Sequence, residues 1–161
     1  GSRDVLDLHG RLDAVVCLGC GERTSREAVQ GRIEAANPGW HAGMARAAPD
    51  GDADIADEAV AGFRAPRCAR CDGLLKPDVV FFGEAVPRTR VEQARRALHG
   101  SDAMLVAGSS LMVWSGLRFV RAAVDLGLPV AILNRGRTRA DDLAGLRIDA
   151  DIATALEEAL A

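Results

Sequence analysis

Apolar positions follow two different rhythms along this chain. From residue 79 onward, short apolar runs at 79–82, 103–107 and 129–133, with a shorter one at 146–149, are separated by stretches whose apolar residues fall three or four apart. Continuous apolar runs of this length predict strands buried on both faces, and the spaced stretches at 89–98, 113–126 and 153–161 predict helices between them. Alternating strands and helices predict right-handed βαβ units and a parallel sheet. Before residue 79 the rhythm changes. Residues 5–8 alternate apolar and acidic, and 12–16 form a second apolar stretch; both predict short strands, the first ending at His9-Gly10. Residues 25–36 predict a helix capped by Ser25, with Glu27, Val29, Ile33 and Ala36 on one stripe and Asn37-Pro38-Gly39 as its stop. From there to Pro66 large apolar residues are scarce, which predicts a loop-rich insertion. It holds a turn at Pro49-Asp50-Gly51-Asp52 and either a helical turn or a short strand at 57–61.

Composition narrows the choice of core. The chain has 161 residues, 48% of them hydrophobic but only 4% aromatic and none tyrosine, so the core is expected to be aliphatic. That length suits one domain with a small appended module. A net charge of −3 supplies no global basic field, so neither nucleic acid nor an anionic membrane is expected as a partner. No apolar run approaches the roughly 20 residues of a membrane helix, and no secretory pattern opens the chain. Abundant Arg and Ala beside a single lysine, Lys76, suggest a GC-rich bacterial source. The expected location is cytoplasmic, or mitochondrial if the source is eukaryotic.

The cysteines carry the first chemical signal. Cys17 and Cys20 form one C-x-x-C pair and Cys68 and Cys71 another, with no cysteine left over. Without a secretory signal, a metal site is favoured over a disulfide framework. Four thiolates are the preferred tetrahedral set for structural Zn2+ and leave no open position for chemistry. Residues 21–67 separate the pairs, more than the ~15–20 residues usual in zinc ribbons. The longer closure costs only ~0.9 kcal/mol more, against zinc binding on the order of 10 kcal/mol. The other readings are a redox dithiol or plain buried thiols, and a redox dithiol does not explain why two pairs occur.

A second signal sits at successive strand ends. Ligands of open parallel sheets lie beyond the carboxyl ends of the strands. Gly108-Ser109-Ser110 follows the 103–107 run, where glycine lets the backbone approach a phosphate and hydroxyls add donors at a helix start. Asn134 can hold ribose hydroxyls, Gly136 allows a turn around them, and 149–153 is a third loop. Each element taken alone is also an ordinary strand–helix corner. No G-x-G-x-x-G occurs.

Leu8-His9-Gly10, the two cysteine pairs, Lys76-Pro77-Asp78-Val79-Val80-Phe81-Phe82-Gly83-Glu84, Gly108-Ser109-Ser110-Leu111 and Ile132-Leu133-Asn134 together resemble the sirtuins, the NAD-dependent protein deacylases. The long cysteine spacing, Asn37-Pro38-Gly39-Trp40, Ser115-Gly116 and Thr138-Arg139-Ala140-Asp141-Asp142-Leu143 resemble class II members, the group that contains the mitochondrial human sirtuin 4. The resemblance implies that His9 is the catalytic histidine. In the family the acyl-lysine carbonyl oxygen attacks C1′ of the nicotinamide ribose as nicotinamide leaves. The histidine then acts as general base on a ribose hydroxyl, giving free lysine and O-acyl-ADP-ribose. A histidine titrates near neutral pH and suits that proton transfer. The resemblance further implies NAD contacts at Gly108, Ser109, Ser110, Asn134, Arg135, Gly136 and Ile152, the last by position rather than residue type. An extended acyl-lysine peptide is expected to pair with Val80, Phe82, Gly83 and Glu84, with Met112-Val113 as the opposite wall. Phe82 has a second reading as a core aromatic. His41 and His99 read as ordinary surface residues.

The family's Gly-Ala-Gly phosphate loop, its acidic-Phe-Arg lid and its Gln-Asn-x-Asp motif are not found in these residues. The expectation is therefore a C-terminal portion of a sirtuin: part of a Rossmann-like parallel sheet with a four-Cys zinc-binding module that carries a long insertion. Residues 1–16 and 72–161 are assigned to the NAD-binding domain and 17–71 to the zinc-binding module. Little deacylase activity is expected of this portion alone, and its missing N-terminal half is a possible partner as a separate segment or chain. Two further functions stay open: transfer of ADP-ribose to protein, and a non-catalytic zinc-ribbon interaction module.

Overall fold

The computed structural model describes residues 3–40, 46–47, 53–54 and 57–160. The chain divides into two compact units, His9–Glu84 and Gly1–Leu8 with Ala85–Ala161.

The His9–Glu84 unit opens with β1 (Gly10–Cys17), β2 (Arg23–Ser25) and α1 (Arg26–Ala36). The insertion follows, with two-residue strands β3 (Arg46–Ala47) and β4 (Ala53–Asp54) and the short helix α2 (Asp57–Val60), before β5 (Leu75–Val79). β1 lies between β2 and β5, antiparallel to both. Helix α1 starts where the sequence places it: the Ser25 side chain accepts from the Ala28 amide at 3.2 Å, and Val29 is its buried residue. At 57–61 the helical alternative is the observed one. The expected turn at 49–52 lies outside the described residues.

The base of the insertion is clamped. Asn37 donates to the Arg64 carbonyl at 2.9 Å and accepts from the Arg64 amide at 2.6 Å. Trp40 and Phe63 meet in a tilted contact with ring centroids 4.7 Å apart, and Arg32 donates to the Arg67 carbonyl. These contacts shorten the effective closure between the cysteine pairs, so the long spacing adds little entropic cost.

Two strand expectations fail here. The 79–82 run is not a doubly buried parallel strand. The strand is β5, it is antiparallel, and pairing with β1 ends at Gly10 opposite Val79. Beyond that point the chain leaves the sheet, and Phe82 is 99% exposed, which removes its reading as a core aromatic. Pro77 suits the edge position of β5, since proline has no backbone N–H to donate to a neighbouring strand. Residues 5–7 also carry no regular structure. Leu6 and Leu8 instead lie along an apolar cavity of about 550 Å³ that Leu98, Leu105 and Phe119 also line, with Leu8 half-buried and Leu6 still 38% exposed.

The other unit follows the predicted alternation. It runs α3 (Arg88–His99), β6 (Met104–Ala107), α4 (Trp114–Asp125), β7 (Val130–Leu133), a 3-10 turn at Asp141–Leu143, β8 (Leu146–Ile148) and α5 (Ile152–Leu160). The sheet is parallel in the order β6-β7-β8. Leu117, Val120 and Ala123 of α4 pack with Val106, Val130 and Ile132 of the sheet into one aliphatic core. Ile132 of the central strand is wholly buried, whereas Leu105 on edge strand β6 is 57% exposed.

Candidate functional site

The four cysteines converge. Their Sγ atoms all lie within 4.8 Å of one another, with Cys17 to Cys71 at 3.5 Å and Cys20 to Cys68 at 3.8 Å. Those separations are too long for disulfides. They match a tetrahedron around one ion, because Zn–S bonds of about 2.3 Å put sulfurs roughly 3.8 Å apart.

Both C-x-x-C segments fold into the same turn. In each, the first cysteine's amide donates to the carbonyl five residues on, Cys17 to Glu22 and Cys68 to Gly73, both at 2.9 Å. Its carbonyl accepts from the amide four residues on, Gly21 at 3.0 Å and Asp72 at 2.9 Å. Those fourth positions carry positive φ, 73° at Gly21 and 58° at Asp72, where glycine and aspartate are among the tolerated residues. An amide two residues on points at each leading sulfur, Gly19 to Cys17 at 3.3 Å and Arg70 to Cys68 at 3.4 Å. Leu18 donates to the Leu74 carbonyl at 2.9 Å and ties the two turns together.

Crowding four thiols splits their acidities. The Cys20 amide, with the Gly19 amide and the neighbouring thiols, holds the Cys17 thiol down to about 6. The Gly73 amide pulls Cys71 downward, yet the Cys20 and Cys17 thiols and burial outweigh it and push Cys71 up to about 12. A bound dication removes that conflict, because coordinated thiols are deprotonated outright. The donor set, spacing and amide-to-sulfur bonds therefore fit zinc. Sequence reading missed one contributor: a Cβ at Gly73 meets the Cys17 sulfur at 2.9 Å and the Cys71 sulfur at 3.2 Å. The signal was present, since Gly73 closes the second turn as Glu22 closes the first.

In the same unit, His9 is exposed immediately before β1. Its carbonyl accepts from the Val80 amide at 2.8 Å, which brings two of the sequence-assigned residues together. The glycine that follows is required: at φ 87° a Cβ on Gly10 falls 1.8 Å from the Asp78 carbonyl oxygen. Asp78 is buried and paired with Arg23, which joins β5 to β2; sequence reading gave neither residue a partner. The 81–84 segment forms a closed turn. The Glu84 amide donates to the Phe81 carbonyl and its carboxylate accepts from the Phe81 amide, both at 3.0 Å. Lys76 beside Glu84 holds that carboxyl below its ordinary range. Gly83 within the turn has φ 87°, and Phe82 projects into solvent.

In the parallel-sheet unit, the three strand-end loops meet one another. Gly108 follows β6 at φ 66°, and a Cβ there would strike the Ile152 side chain at 2.7 Å. The glycine is thus needed to seat the start of α5. Ser109 Oγ accepts from the Leu111 amide at 3.3 Å and the Ser110 carbonyl from the Arg139 amide at 2.9 Å. After β7, the Asn134 amide nitrogen donates to the Arg135 carbonyl at 2.7 Å, which leaves its side-chain oxygen as an acceptor. Gly136 donates to Asp149 at 3.0 Å and Arg135 pairs with Asp151 at 3.4 Å, so the loops after β7 and β8 are tied. The Gly136 amide, then Arg147, keeps Asp149 below the usual carboxylate range.

A sequence profile of the Sir2 family matches residues 1–115. The chain belongs to the Sir2 family, the sirtuins. It is 57% identical over 156 residues to an NAD-dependent protein deacetylase of Xanthomonas campestris pv. campestris (strain 8004), covering 97% of this chain and 53% of that protein. It is also 57% identical over 148 residues to an NAD-dependent protein deacetylase of Bordetella bronchiseptica, covering 92% of this chain and 54% of that protein. Among solved structures, one described as Sir2 bound to acetylated peptide superposes with a TM-score of 0.74 at 25% identity, over 99% of this chain and 56% of that one. Another, described as Sir2-p53 peptide-NAD+, gives 0.73 at 26% identity over 99% and 55%. The chain spans about half the length of the curated relatives it matches.

Proposed function

We propose that this chain is the C-terminal portion of an NAD-dependent protein lysine deacylase of class II. In that reading 1–16 and 72–161 belong to its nucleotide-binding domain and 17–71 to its zinc-binding module. The observation that carries the reading is the meeting of the Gly108, Asn134 and Asp149–Ile152 loops at the carboxyl ends of β6, β7 and β8 in a chain of the Sir2 family. That is where open parallel sheets bind nucleotides. Gly108, Ser109, Ser110, Asn134, Arg135, Gly136 and Ile152 would hold NAD, which supplies the acyl-accepting ribose. Asn134 Oδ1 is free to accept a ribose hydroxyl. His9 is the general base, held in place by the Val80 bond and the Gly10 turn. The acyl-lysine peptide pairs along Val80, Phe82, Gly83 and Glu84. Zinc on Cys17, Cys20, Cys68 and Cys71 supplies a structural cross-link.

The relatives are bacterial, and no helix among the described residues is long and apolar enough to cross a membrane. The cytoplasm is the location that suits this reading.

The test is nicotinamide release from NAD by the full-length protein with a panel of acyl-lysine peptides. Activity with at least one acyl group, falling at least about 100-fold in His9→Ala, supports the reading. Peptide-independent NAD cleavage, or turnover unchanged by His9→Ala, overturns it. This chain alone is expected to show little or no turnover, and full activity from it contradicts its assignment as a portion of the catalytic unit.

A further inference from the structure

Helices α3 and α4 enclose a cavity of about 220 Å³ that the deacylase reading does not use. Its lining combines Arg95 and His99 of α3 with Arg118 of α4, over an apolar floor that includes Leu98 and Phe119. Arg118 is preset: its Nε donates to the Ser115 carbonyl at 3.2 Å, and its guanidinium stands 5.1 Å from the Phe119 ring centroid. Its Nη2 is buried without a hydrogen-bond partner. A buried, unsatisfied guanidinium nitrogen is costly and calls for an acceptor. Among the described residues no carboxylate pairs with Arg95, His99 or Arg118. The one acid in the lining, Asp125 of α4, pairs with none of them.

We propose that this cavity is a binding site for an oxyanion, a phosphate or carboxylate group carried on a small apolar body. The Arg118 guanidinium supplies a charge-assisted donor to the oxyanion. Arg95 and His99, one helical turn apart on α3, close over the remaining charge. The apolar floor takes the body and keeps water off the ion pair, which strengthens it. A volume near 220 Å³ admits a phosphate or a short-chain acid but not a nucleotide. Asp125 opposes the ligand and weakens its binding.

The experiment is a titration of the chain with inorganic phosphate and with butyrate, and with chloride at matched ionic strength, followed by NMR shifts of the Arg118 Nε–H and of the α3 and α4 amides. Saturable shifts with phosphate or butyrate and none with chloride are expected. The arm that saturates first assigns the group as phosphate or carboxylate. Arg118→Gln is expected to weaken binding at least tenfold and Asp125→Asn to tighten it severalfold. Arg95→Gln, on the exposed side of α3, repeats the test if Arg118→Gln fails to fold. Shifts that follow chloride equally, or saturable binding that neither arginine variant weakens, overturn the proposal.

Discussion

The two units reach stability by different routes. The parallel-sheet unit buries Leu98, Val106, Leu111, Leu117, Val120, Ala123, Val130, Ile132, Leu133 and Ala140. In the His9–Glu84 unit, only Val15, Cys17, Val29 and Cys68 are buried hydrophobics among the described residues, and two of those four are cysteines. One unit therefore folds on apolar burial, at about 1.5–3 kcal/mol for each large aliphatic side chain. The other has too little core for that and relies on backbone turns that gather four cysteines fit to hold an ion. Where a core is small, a metal substitutes for it.

Removing the metal tests that contrast most severely. Cys68→Ser, or a strong chelator, is expected to abolish zinc binding and forfeit a term on the order of 10 kcal/mol. Amide hydrogen exchange should then become fast throughout β1, β2 and β5 while β6, β7 and β8 stay protected. Equal loss in both units breaks the comparison. Ile132→Ala is the reverse test. It leaves a cavity in the aliphatic core, should cost about 3–4 kcal/mol, and should leave the zinc content per chain unchanged.

Gly10→Ala is expected to cost about 2–3 kcal/mol. Its Cβ would meet the Asp78 carbonyl, and the positive φ adds strain. The loss should localise to β1 and β5 in the exchange pattern. The smallest effect concerns acid. Thr138, and then the nearby Arg147, hold the Asp141 carboxyl below its ordinary value of 3.8. A depressed carboxylate contributes stability above its unfolded pKa and loses it as pH falls through the folded value. The parallel-sheet unit should thus weaken below about pH 3.8, and Asp141→Asn should flatten that part of a thermal-melt pH profile.

Much of the metal centre was legible in the chain. Two C-x-x-C pairs with none left over specify a tetrathiolate set by residue type, and the structure gathers all four sulfurs. The helix cap at Ser25 and the strand–helix alternation after residue 88 were equally readable, because each depends on neighbours within a few residues. The 79–82 run was misread because an apolar run records burial preference and says nothing about a partner strand. Pairing with β1 is a contact between distant segments, and it ends where Gly10 ends the register. Leu6 and Leu8 depart from expectation for a related reason: alternation fits a strand, but these side chains line a cavity beside α3 and β6 without joining a ladder.

Sequence by itself determined which atoms are available: four thiolates, a histidine before a glycine, and glycine, serine and asparagine after successive apolar runs. Only the tertiary structure decided what those residues are for locally. Gly10 exists for the Asp78 carbonyl, Gly73 for two sulfurs, and Gly108 for Ile152. The physical reason is that a missing Cβ is visible in the sequence, whereas the atom that would collide with it belongs to a segment brought near only by folding.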